Sequence, residues 1–160
     1  MTELSESLPD AYRVEDSVGY LLGRARLKLA KALDIALTDL GITHAQGSIV
    51  LMLSSGKYST AADLARELYI DSASMTRMVD RLEKRGLISR TRKSGDRRVI
   101  NLSLTPDGRE LGHRLPAIYA AVMNRSFATL SADELTTLRS LLRKSLACEP
   151  QPGTVNPGEA

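Results

Sequence analysis

The residues with the clearest chemical potential are basic side chains in the middle of the chain. Between Asp71 and Arg98, nine lysines and arginines stand against four acidic residues, so the segment carries +5 while the whole chain carries +3. A basic segment in an otherwise slightly acidic chain is expected of a surface that neutralises nucleic-acid phosphates and releases their counterions. A solvated, charged helix face is the alternative explanation of such a run.

Part of this segment has the pattern of an amphipathic helix. Asp71 or Ser72 can cap its N-terminus, and Gly86 can end it because glycine readily adopts the left-handed conformation that follows a helix. Its apolar residues recur at helical spacing, at Met75, Met78, Val79 and Leu82. The pattern therefore predicts a helix that buries one face and presents a polar, basic face to its surroundings.

The polar face of this helix has side chains suited to reading DNA. An α-helix fits the major groove, and the residues that reach base edges come from its N-terminal half. In this chain those residues are Ser72, Ser74, Thr76 and Arg77. Residues one and two turns further on are better placed for phosphates, and these are Arg81, Lys84 and Arg85. The alternative for Arg77 is a structural ion pair with Asp80 or Asp71.

A β-hairpin with a basic tip is predicted after the helix. Residues 87–91 and 99–104 have the composition of strands, and a polar loop containing glycine separates them. The tip residues that could enter an adjacent minor groove, where the negative potential favours arginine, are Lys93, Arg97 and Arg98. A carboxylate would repel phosphate, so we expect Asp96 to orient an arginine, either Arg98 or Arg77.

A second short helix completes a helix-turn-helix. Thr60 and Asp63 form a capping-box pattern at its start, and a tight turn follows it at Tyr69 and Ile70. Two short helices joined in this way are the helix-turn-helix unit. With the hairpin included, residues 58–105 are predicted to form a winged helix-turn-helix that binds duplex DNA.

Longer helices flank this unit. Apolar residues recur every three or four positions from 12 to 40, and an apolar, central helix follows the capping residue Thr43. A helix from 106 to about 129 contains Pro116, which is predicted to kink or interrupt it. A leucine-rich helix with a capping box comes last, and residues 148–160 are predicted to be disordered. The expected fold class is mainly α with a small β-hairpin wing, in the order α-α-α-α-β-β-α-α.

Other chemistries have little support in the sequence. Cys148 is the only cysteine, so neither an intramolecular disulfide nor a cysteine-based zinc cluster can form. No nucleophile elbow, phosphate-binding loop or carboxylate–histidine pairing indicates an enzyme, a metal site or a cofactor. No segment has the roughly 18 uncharged apolar residues of a membrane span, and the acidic N-terminus is unlike a secretory signal. We therefore expect a cytoplasmic protein.

Two motifs in the basic segment resemble those of the MarR family of multiple-antibiotic-resistance regulators. Residues 96–105 fit the D-x-R-x-x-x-x-x-L-T pattern of that family, and residues 74–87 are similar to its recognition helix and the exit from it. The order of helices agrees over most of the chain, from about residue 12 to residue 147.

The resemblance implies an assembly and a set of DNA contacts. A winged helix-turn-helix over 43–105 would be duplicated in a two-fold homodimer, held by the helices of 12–40 and 106–147, and the dimer would read a pseudo-palindromic operator. The apolar surface of those helices, more than one small lobe needs, supports a dimer independently. The family's wing arginine, its supporting aspartate and its recognition-helix pair fall on Arg98, Asp96, and Thr76 with Arg77.

The resemblance also implies a small-molecule effector. Members of the family often bind anionic aromatic or phenolic compounds between the dimerisation helices and the DNA-binding lobe, and binding of the compound usually lowers the affinity for DNA. Arg26 interrupts the apolar stripe of the first helix, where a buried charge needs a partner such as an anionic ligand. Snorkelling, or pairing with a carboxylate across the dimer, is the alternative. Further candidates, which could equally be core residues, are Tyr20, His44, Arg90 and Tyr119.

Two branches of the family fit less well. The hydroperoxide-sensing branch uses a reactive cysteine near the N-terminus, which this chain lacks, and the zinc-sensing branch needs more ligands than His44 and His113 provide. The sequence thus predicts a sequence-specific transcriptional regulator, a repressor released by a small anionic aromatic or phenolic ligand. The alternative is a winged helix for protein interaction or DNA architecture, without ligand response, which would have a neutral or acidic recognition helix.

Overall fold

The computed structural model describes residues 13–93 and 96–147, without the side chains of 93–98. Within this part, four α-helices precede a two-stranded hairpin and two follow it, which confirms the predicted fold class and element order. The elements are α1 (Val18–Ala36), α2 (His44–Ser54), α3 (Ala61–Leu68), α4 (Ser72–Lys84), β1 (Ile88–Lys93), β2 (Asp96–Leu104), α5 (Pro106–Ser126) and α6 (Ala132–Leu146). Cys148 and the tail predicted to be disordered lie outside the described residues.

Helix α1 is shorter than the amphipathic pattern predicted. Ser17 caps it by accepting a hydrogen bond from the backbone N–H of Tyr20, and 3-10 helices flank it at Val14–Asp16 and Thr38–Leu40. Gly41 ends this region in the left-handed conformation, at φ 63°. The apolar period continues through the second 3-10 helix, which is why the sequence pattern did not show where α1 ends.

Pro116 does not interrupt α5, so that part of the prediction is wrong. The helix runs without a break from Pro106 to Ser126. Proline removes one backbone donor and crowds the carbonyl four residues earlier. Buried residues on both sides of it, Leu111, Leu115 and Val122, give α5 enough packing to offset the loss of one hydrogen bond.

The hydrophobic core lies where α2, α3, α4 and the first half of α5 meet. Helix α2 is the central helix predicted from its apolar sequence, with Ile49 and Val50 fully buried. Helix α4 contributes three fully buried side chains, Met75, Val79 and Leu82. Burying each side chain of this size stabilises the fold by roughly 1.5–3 kcal/mol. These residues fix the rotation of α4 about its own axis.

The hairpin is joined to the helices at its base. β1 and β2 pair antiparallel, with Ile88 opposite Leu104. The backbone N–H of Leu102 donates to the carbonyl of Ser59 at 2.7 Å, which brings the segment before α3 against the outer edge of β2. Thr105 caps α5 as predicted, because its Oγ1 accepts a hydrogen bond from the backbone N–H of Gly108 at 3.1 Å.

The described residues divide into two compact units, the first ending at Met123 and the second beginning at Asn124. In the second unit the predicted capping box of α6 is present: Ser131 N–H donates to the Glu134 carboxylate at 2.7 Å, and Glu134 N–H donates to Ser131 Oγ at 3.2 Å. No residue of α6 is buried. Over the described ranges, no helix combines the length and apolarity that crossing a membrane requires.

The turn between α3 and α4 contains an unusual backbone conformation. Tyr69 has φ 52° and ψ 44°, and among the described residues it alone has positive φ without being glycine. Its N–H donates to the carbonyl of Arg66 at 3.3 Å, and the N–H of Ile70 donates to that of Ala65 at 3.0 Å. The Tyr69 side chain is 90% exposed, so closure of α3 imposes the conformation, and side-chain packing contributes nothing to it.

Substitutions at Tyr69 should affect stability through the backbone. We expect Tyr69→Val to lower the free energy of unfolding by about 1 kcal/mol, because a β-branched residue tolerates the left-handed region poorly. Tyr69→Asn should be neutral or slightly stabilising, since asparagine adopts this region more readily. Urea unfolding followed by circular dichroism measures both variants, and equal stabilities would contradict this explanation of the turn.

Candidate nucleic-acid interface

The outward face of α4 carries most of the residues predicted to contact DNA. Because Met75, Val79 and Leu82 are buried, the opposite side of the helix faces outwards. The predicted contact residues that are exposed there are Ser72, Thr76, Arg77, Arg81 and Lys84, while Ser74 is half-buried. The core packing of α4 therefore presents one continuous polar and basic surface.

Hydrogen bonds order the first turns of α4. The Asp71 carboxylate accepts from the backbone N–H of Ser74 at 2.8 Å, and hydrogen bonds from Ser74 hold the pKa of Asp71 below its ordinary value. Thr76 Oγ1 donates to the carbonyl of Ser72 at 2.8 Å. The Thr76 oxygen can still accept, and its methyl group is exposed, so the residue can contact a base without disturbing the helix.

Arg77 is held by a hydroxyl. Its Nη2 donates to Ser74 Oγ at 2.9 Å. Within the described part of the chain it forms no ion pair within 4.0 Å of Asp71 or Asp80, although its charge contributes, after the hydrogen bonds from Ser74, to the lowered pKa of Asp71. A guanidinium has five N–H donors in a fixed fork, and this single bond orients the fork while leaving donors for a base edge.

Arg90 joins the hairpin to α4. From β1, its guanidinium donates to the carboxylates of Asp80 and Glu83, each at 2.5 Å. The hydrogen bond to Asp80 is the main reason that the pKa of Arg90 is raised above its ordinary value. Two carboxylates of the same chain occupy its guanidinium in this structure, and the role of Arg90 in binding an anionic ligand stays a prediction.

This pairing also sets the charge of the interface. Asp80 lies one turn after Thr76 on α4 and is exposed, so an unpaired carboxylate there would repel the phosphates of a bound duplex. Arg90 hydrogen-bonds to both carboxylates and offsets one of their two negative charges. The cationic side chains exposed on the outward face are Arg77, Arg81 and Lys84.

The tip of the hairpin is described only through its backbone. Lys93 and Asp96 lie opposite one another after a register shift between Arg92 and Lys93. The side chains predicted to enter the minor groove, together with the supporting carboxylate, lie outside the described part of the structure; these are Lys93, Arg97, Arg98 and Asp96. Their roles stay predictions.

The five predicted effector residues do not converge on one site. Tyr20 and Arg26 are exposed on α1, so the chain by itself does not bury the Arg26 charge. The Tyr20 hydroxyl accepts a hydrogen bond from Arg24 at 3.1 Å. These two residues lie on a surface, while Arg90 is held by α4.

His44 and Tyr119 do lie together, where α1, α2 and α5 meet. Tyr119 Oη donates to the carbonyl of His44 at 2.9 Å, and His44 Nδ1 lies 3.0 Å from an Asp34 oxygen that also accepts the His44 N–H. Burial works to raise the pKa of Asp34, but the hydrogen bonds from His44 lower it overall. Burial raises the pKa of Tyr119. A Cβ at Gly47 would lie 2.7 Å from Tyr119 Oη, so α2 and α5 are closely packed at this junction, and the ligand roles of His44 and Tyr119 stay predictions.

Sequence reasoning missed a cavity at the base of the hairpin. It has a volume of about 530 Å³ and is bounded by the end of α2, the loop before α3, β2 and the start of α5. Leu53, Leu102 and Leu104 give it an apolar lining, and Arg109 and His113 are its basic residues. None of the residues that line it is acidic, and none is among the five predicted effector residues.

Two glycines on one face of α5 were the available signal for this region. A Cβ at Gly108 would overlap the carbonyl oxygen of Leu87, and one at Gly112 would overlap Ser54 Oγ. Glycine permits this close approach because it has no side chain. The four-residue spacing of the glycines could have indicated a helix pressed against its neighbours, but not the cavity beside it.

The helix pair with its tight turn, the outward face of α4 and the attached hairpin define a winged helix-turn-helix, the architecture of a DNA-binding module. A profile described as the MarR family matches residues 42–100. The organic hydroperoxide resistance transcriptional regulator of Bacillus subtilis (strain 168) is 31% identical over 133 residues, which cover 83% of this chain and 89% of that protein. The chain belongs to the MarR family of transcriptional regulators, as its motifs indicated.

Solved structures agree with this assignment. A mutant MarR from E. coli complexed with operator DNA superposes with a TM-score of 0.73 at 28% identity, covering 80% of this chain and 92% of that one. Bordetella bronchiseptica BpsR, whose DNA binding is regulated by 6-hydroxynicotinic acid, superposes with a TM-score of 0.76 at 27% identity, covering 86% of this chain and 99% of that one.

Removing the Arg90 side chain should weaken DNA binding indirectly. We expect Arg90→Ala to bind a duplex about tenfold less tightly, equivalent to roughly 1.4 kcal/mol, because Asp80 and Glu83 become uncompensated charges beside phosphates. Fluorescence anisotropy with a labelled duplex measures the affinity.

The matched control removes the acidic partners as well. A triple variant that combines Arg90→Ala with Asp80→Asn and Glu83→Gln should recover most of the lost affinity. If the triple variant binds as weakly as Arg90→Ala, the compensating role is disproved, and the loss comes from the anchoring of the hairpin or from direct contact with DNA.

Proposed function

We propose that this protein is a sequence-specific transcriptional repressor that acts on DNA in the cytoplasm as a homodimer. The observation that carries the proposal is the outward face of α4, which exposes Arg77, Arg81 and Lys84 while Arg90 offsets one of the two negative charges of Asp80 and Glu83. The residues assigned to base edges in the major groove are Ser72, Ser74, Thr76 and Arg77. Those assigned to phosphates are Arg81 and Lys84.

The hairpin completes the proposed contact with DNA. Its tip residues Lys93, Arg97 and Arg98 would reach the adjacent minor groove, with Asp96 orienting an arginine. This assignment rests on the sequence motif and on the hairpin being held at its base by Arg90 and by the bond between Leu102 and Ser59.

Exposed apolar side chains support the proposed homodimer. On α1 these are Val18, Leu21, Leu22, Leu27 and Ile35, and on α6 they are Leu141 and Leu146. Several large apolar side chains left exposed on one helix are expected of a helix that packs against a partner. A second copy of the chain, paired through the helices of 12–40 and 106–147, would cover it. Such a dimer places two half-sites about one turn of DNA apart, roughly 10 bp centre to centre.

The wing arginine provides the direct test of DNA binding. We expect Arg98→Ala to lower the affinity for a duplex from the chain's own upstream promoter at least tenfold. The slope of the logarithm of affinity against the logarithm of salt concentration should decrease by about 1, because one cationic contact is lost. Size-exclusion chromatography should show an unchanged dimer.

Arg139→Ala is the matched control, because it removes the same charge from an exposed position on α6. It should leave both affinity and salt slope unchanged. An Arg98→Ala variant that binds as tightly as the wild type would disprove the wing contact, and a wild type that binds no duplex would disprove the proposed function.

We further propose that an aromatic acid occupying the cavity at the base of the hairpin weakens DNA binding. The cavity of about 530 Å³ has leucines for an aromatic ring and two basic residues, Arg109 and His113, for a carboxylate. An occupant would contact β2 and the segment before α3 together, so it would bind one arrangement of the hairpin and helices better than another. The regulation of BpsR by 6-hydroxynicotinic acid supports this class of ligand.

Two arginines on α5 separate this proposal from surface binding. Arg109 lines the cavity and Arg114 does not. We expect 6-hydroxynicotinic acid or salicylate to bind Arg109→Gln about tenfold more weakly than the wild type, the loss typical of one hydrogen bond to a charged group. Arg114→Gln should bind like the wild type. Titration calorimetry measures the affinities, and equal binding by all three proteins would rule out the cavity as the site.

A further inference from the structure

Arg85 points away from the outward face of α4, although the sequence placed it among the phosphate contacts. It is the C-cap residue of the helix, where its backbone N–H donates to Arg81. Its Nη2 donates to the carbonyl of Leu40 at 2.9 Å, and its Nη1 donates to that of Gly41. Two N–H donors of the Arg85 guanidinium therefore already form hydrogen bonds within the protein, to residues more than 40 positions earlier in the chain.

The carbonyls that Arg85 binds belong to the end of the first helical segment. Leu40 closes the 3-10 helix that follows α1, and Gly41 adopts the left-handed conformation after it. Carbonyls at a helix end lack helical partners and carry the negative end of the helix dipole, so a cation there is favourable. A Cβ on Gly41 would lie 3.4 Å from the guanidinium, an ordinary van der Waals contact, so the left-handed turn is what favours glycine at this position.

This contact links two parts of the molecule with different proposed roles. Leu37, between α1 and the 3-10 helix, is fully buried in the core that α4 also joins. Apolar packing of this kind resists separation of the two segments but is non-directional. Arg85 adds direction, because two N–H donors of its rigid guanidinium bind the carbonyls of two adjacent residues and so restrain the angle at which the end of α4 meets the end of α1.

We propose that Arg85 is a positioning residue that sets the orientation of α4 relative to α1, and thereby the spacing between half-sites that the dimer accepts. The inference rests on the proposed function, in which α1 belongs to the dimer interface and α4 reads DNA. Inserting one base pair between half-sites rotates one half-site relative to the other by about 35° and moves it along the axis. A dimer whose reading helices are held at a fixed angle rejects that change, and a dimer with looser helices tolerates it.

The test compares operators of different spacing. The best duplex for the wild type is selected from a random library, and derivatives with one base pair inserted or deleted between the half-sites are measured beside it. We expect Arg85→Ala to bind the best duplex more weakly and to reduce its preference over both derivatives at least threefold. The salt slope should equal that of the wild type, because no phosphate contact is lost.

Lys84→Ala is the matched control, since Lys84 is the exposed neighbour assigned to phosphate. It should reduce the salt slope by about 1 and weaken all duplexes alike, leaving the spacing preference intact. Arg85→Lys keeps the charge but loses the planar fork, so its spacing preference should fall between those of the wild type and Arg85→Ala. If Arg85→Ala fails to form a folded dimer, the Arg85→Lys variant still tests the proposal.

The outcomes are distinct. A drop of about 1 in the salt slope of Arg85→Ala with the spacing preference retained would show that Arg85 contacts phosphate, and would overturn the inference. An unchanged spacing preference in both Arg85 variants would overturn it as well. A wild type that binds no selected duplex would refute the proposed function, and the inference with it.

Discussion

The burial of one face of α4 is the constraint on which the rest of the interface depends. Met75, Val79 and Leu82 are fully enclosed, so the helix cannot roll without exposing apolar surface at a cost of roughly 1.5–3 kcal/mol for each side chain. That cost decides which polar residues face outwards. Arg90 then fixes the hairpin to this helix, and Arg85 fixes the helix to the end of the first helical segment. Apolar packing sets the rotation of α4 about its own axis. Arg90 restrains the hairpin, and Arg85 restrains the end of the first helical segment, relative to α4.

The sequence predicted those features whose causes are local. Helix starts at Thr60 and Ser131 were recognisable because a capping residue and its partner lie three positions apart, and the start at Thr43 because threonine is a favoured N-cap residue. The contacts of Arg90 were not, because its partners lie seven and ten residues earlier on another element. Charge patterns show which residues are basic, but only the packed structure shows which of them are already neutralised.

The sequence also does not show which of the predicted effector residues already form hydrogen bonds within the fold. His44 and Tyr119 were selected for their chemistry, and the structure uses that chemistry internally, in hydrogen bonds between helices. The cavity at the base of the hairpin is instead shaped by where backbones approach closely, and its basic residues lie on a helix whose periodicity gave no reason to single them out. The predicted interruption of α5 at Pro116 was wrong for a related reason. The rule that proline breaks a helix concerns one lost hydrogen bond, whereas the packing of the buried leucines of α5 keeps the helix intact.

The close approach at Gly108 has a mechanical consequence. The carbonyl of Leu87 lies directly on the backbone of α5, with no side chain between them to absorb a displacement. β1 begins at the next residue and is six residues long, so its far end lies roughly 20 Å from this contact. A rotation of α5 by about 5° that carried β1 with it would move that far end by about 2 Å. A small rotation of the long helix would therefore be amplified along the hairpin.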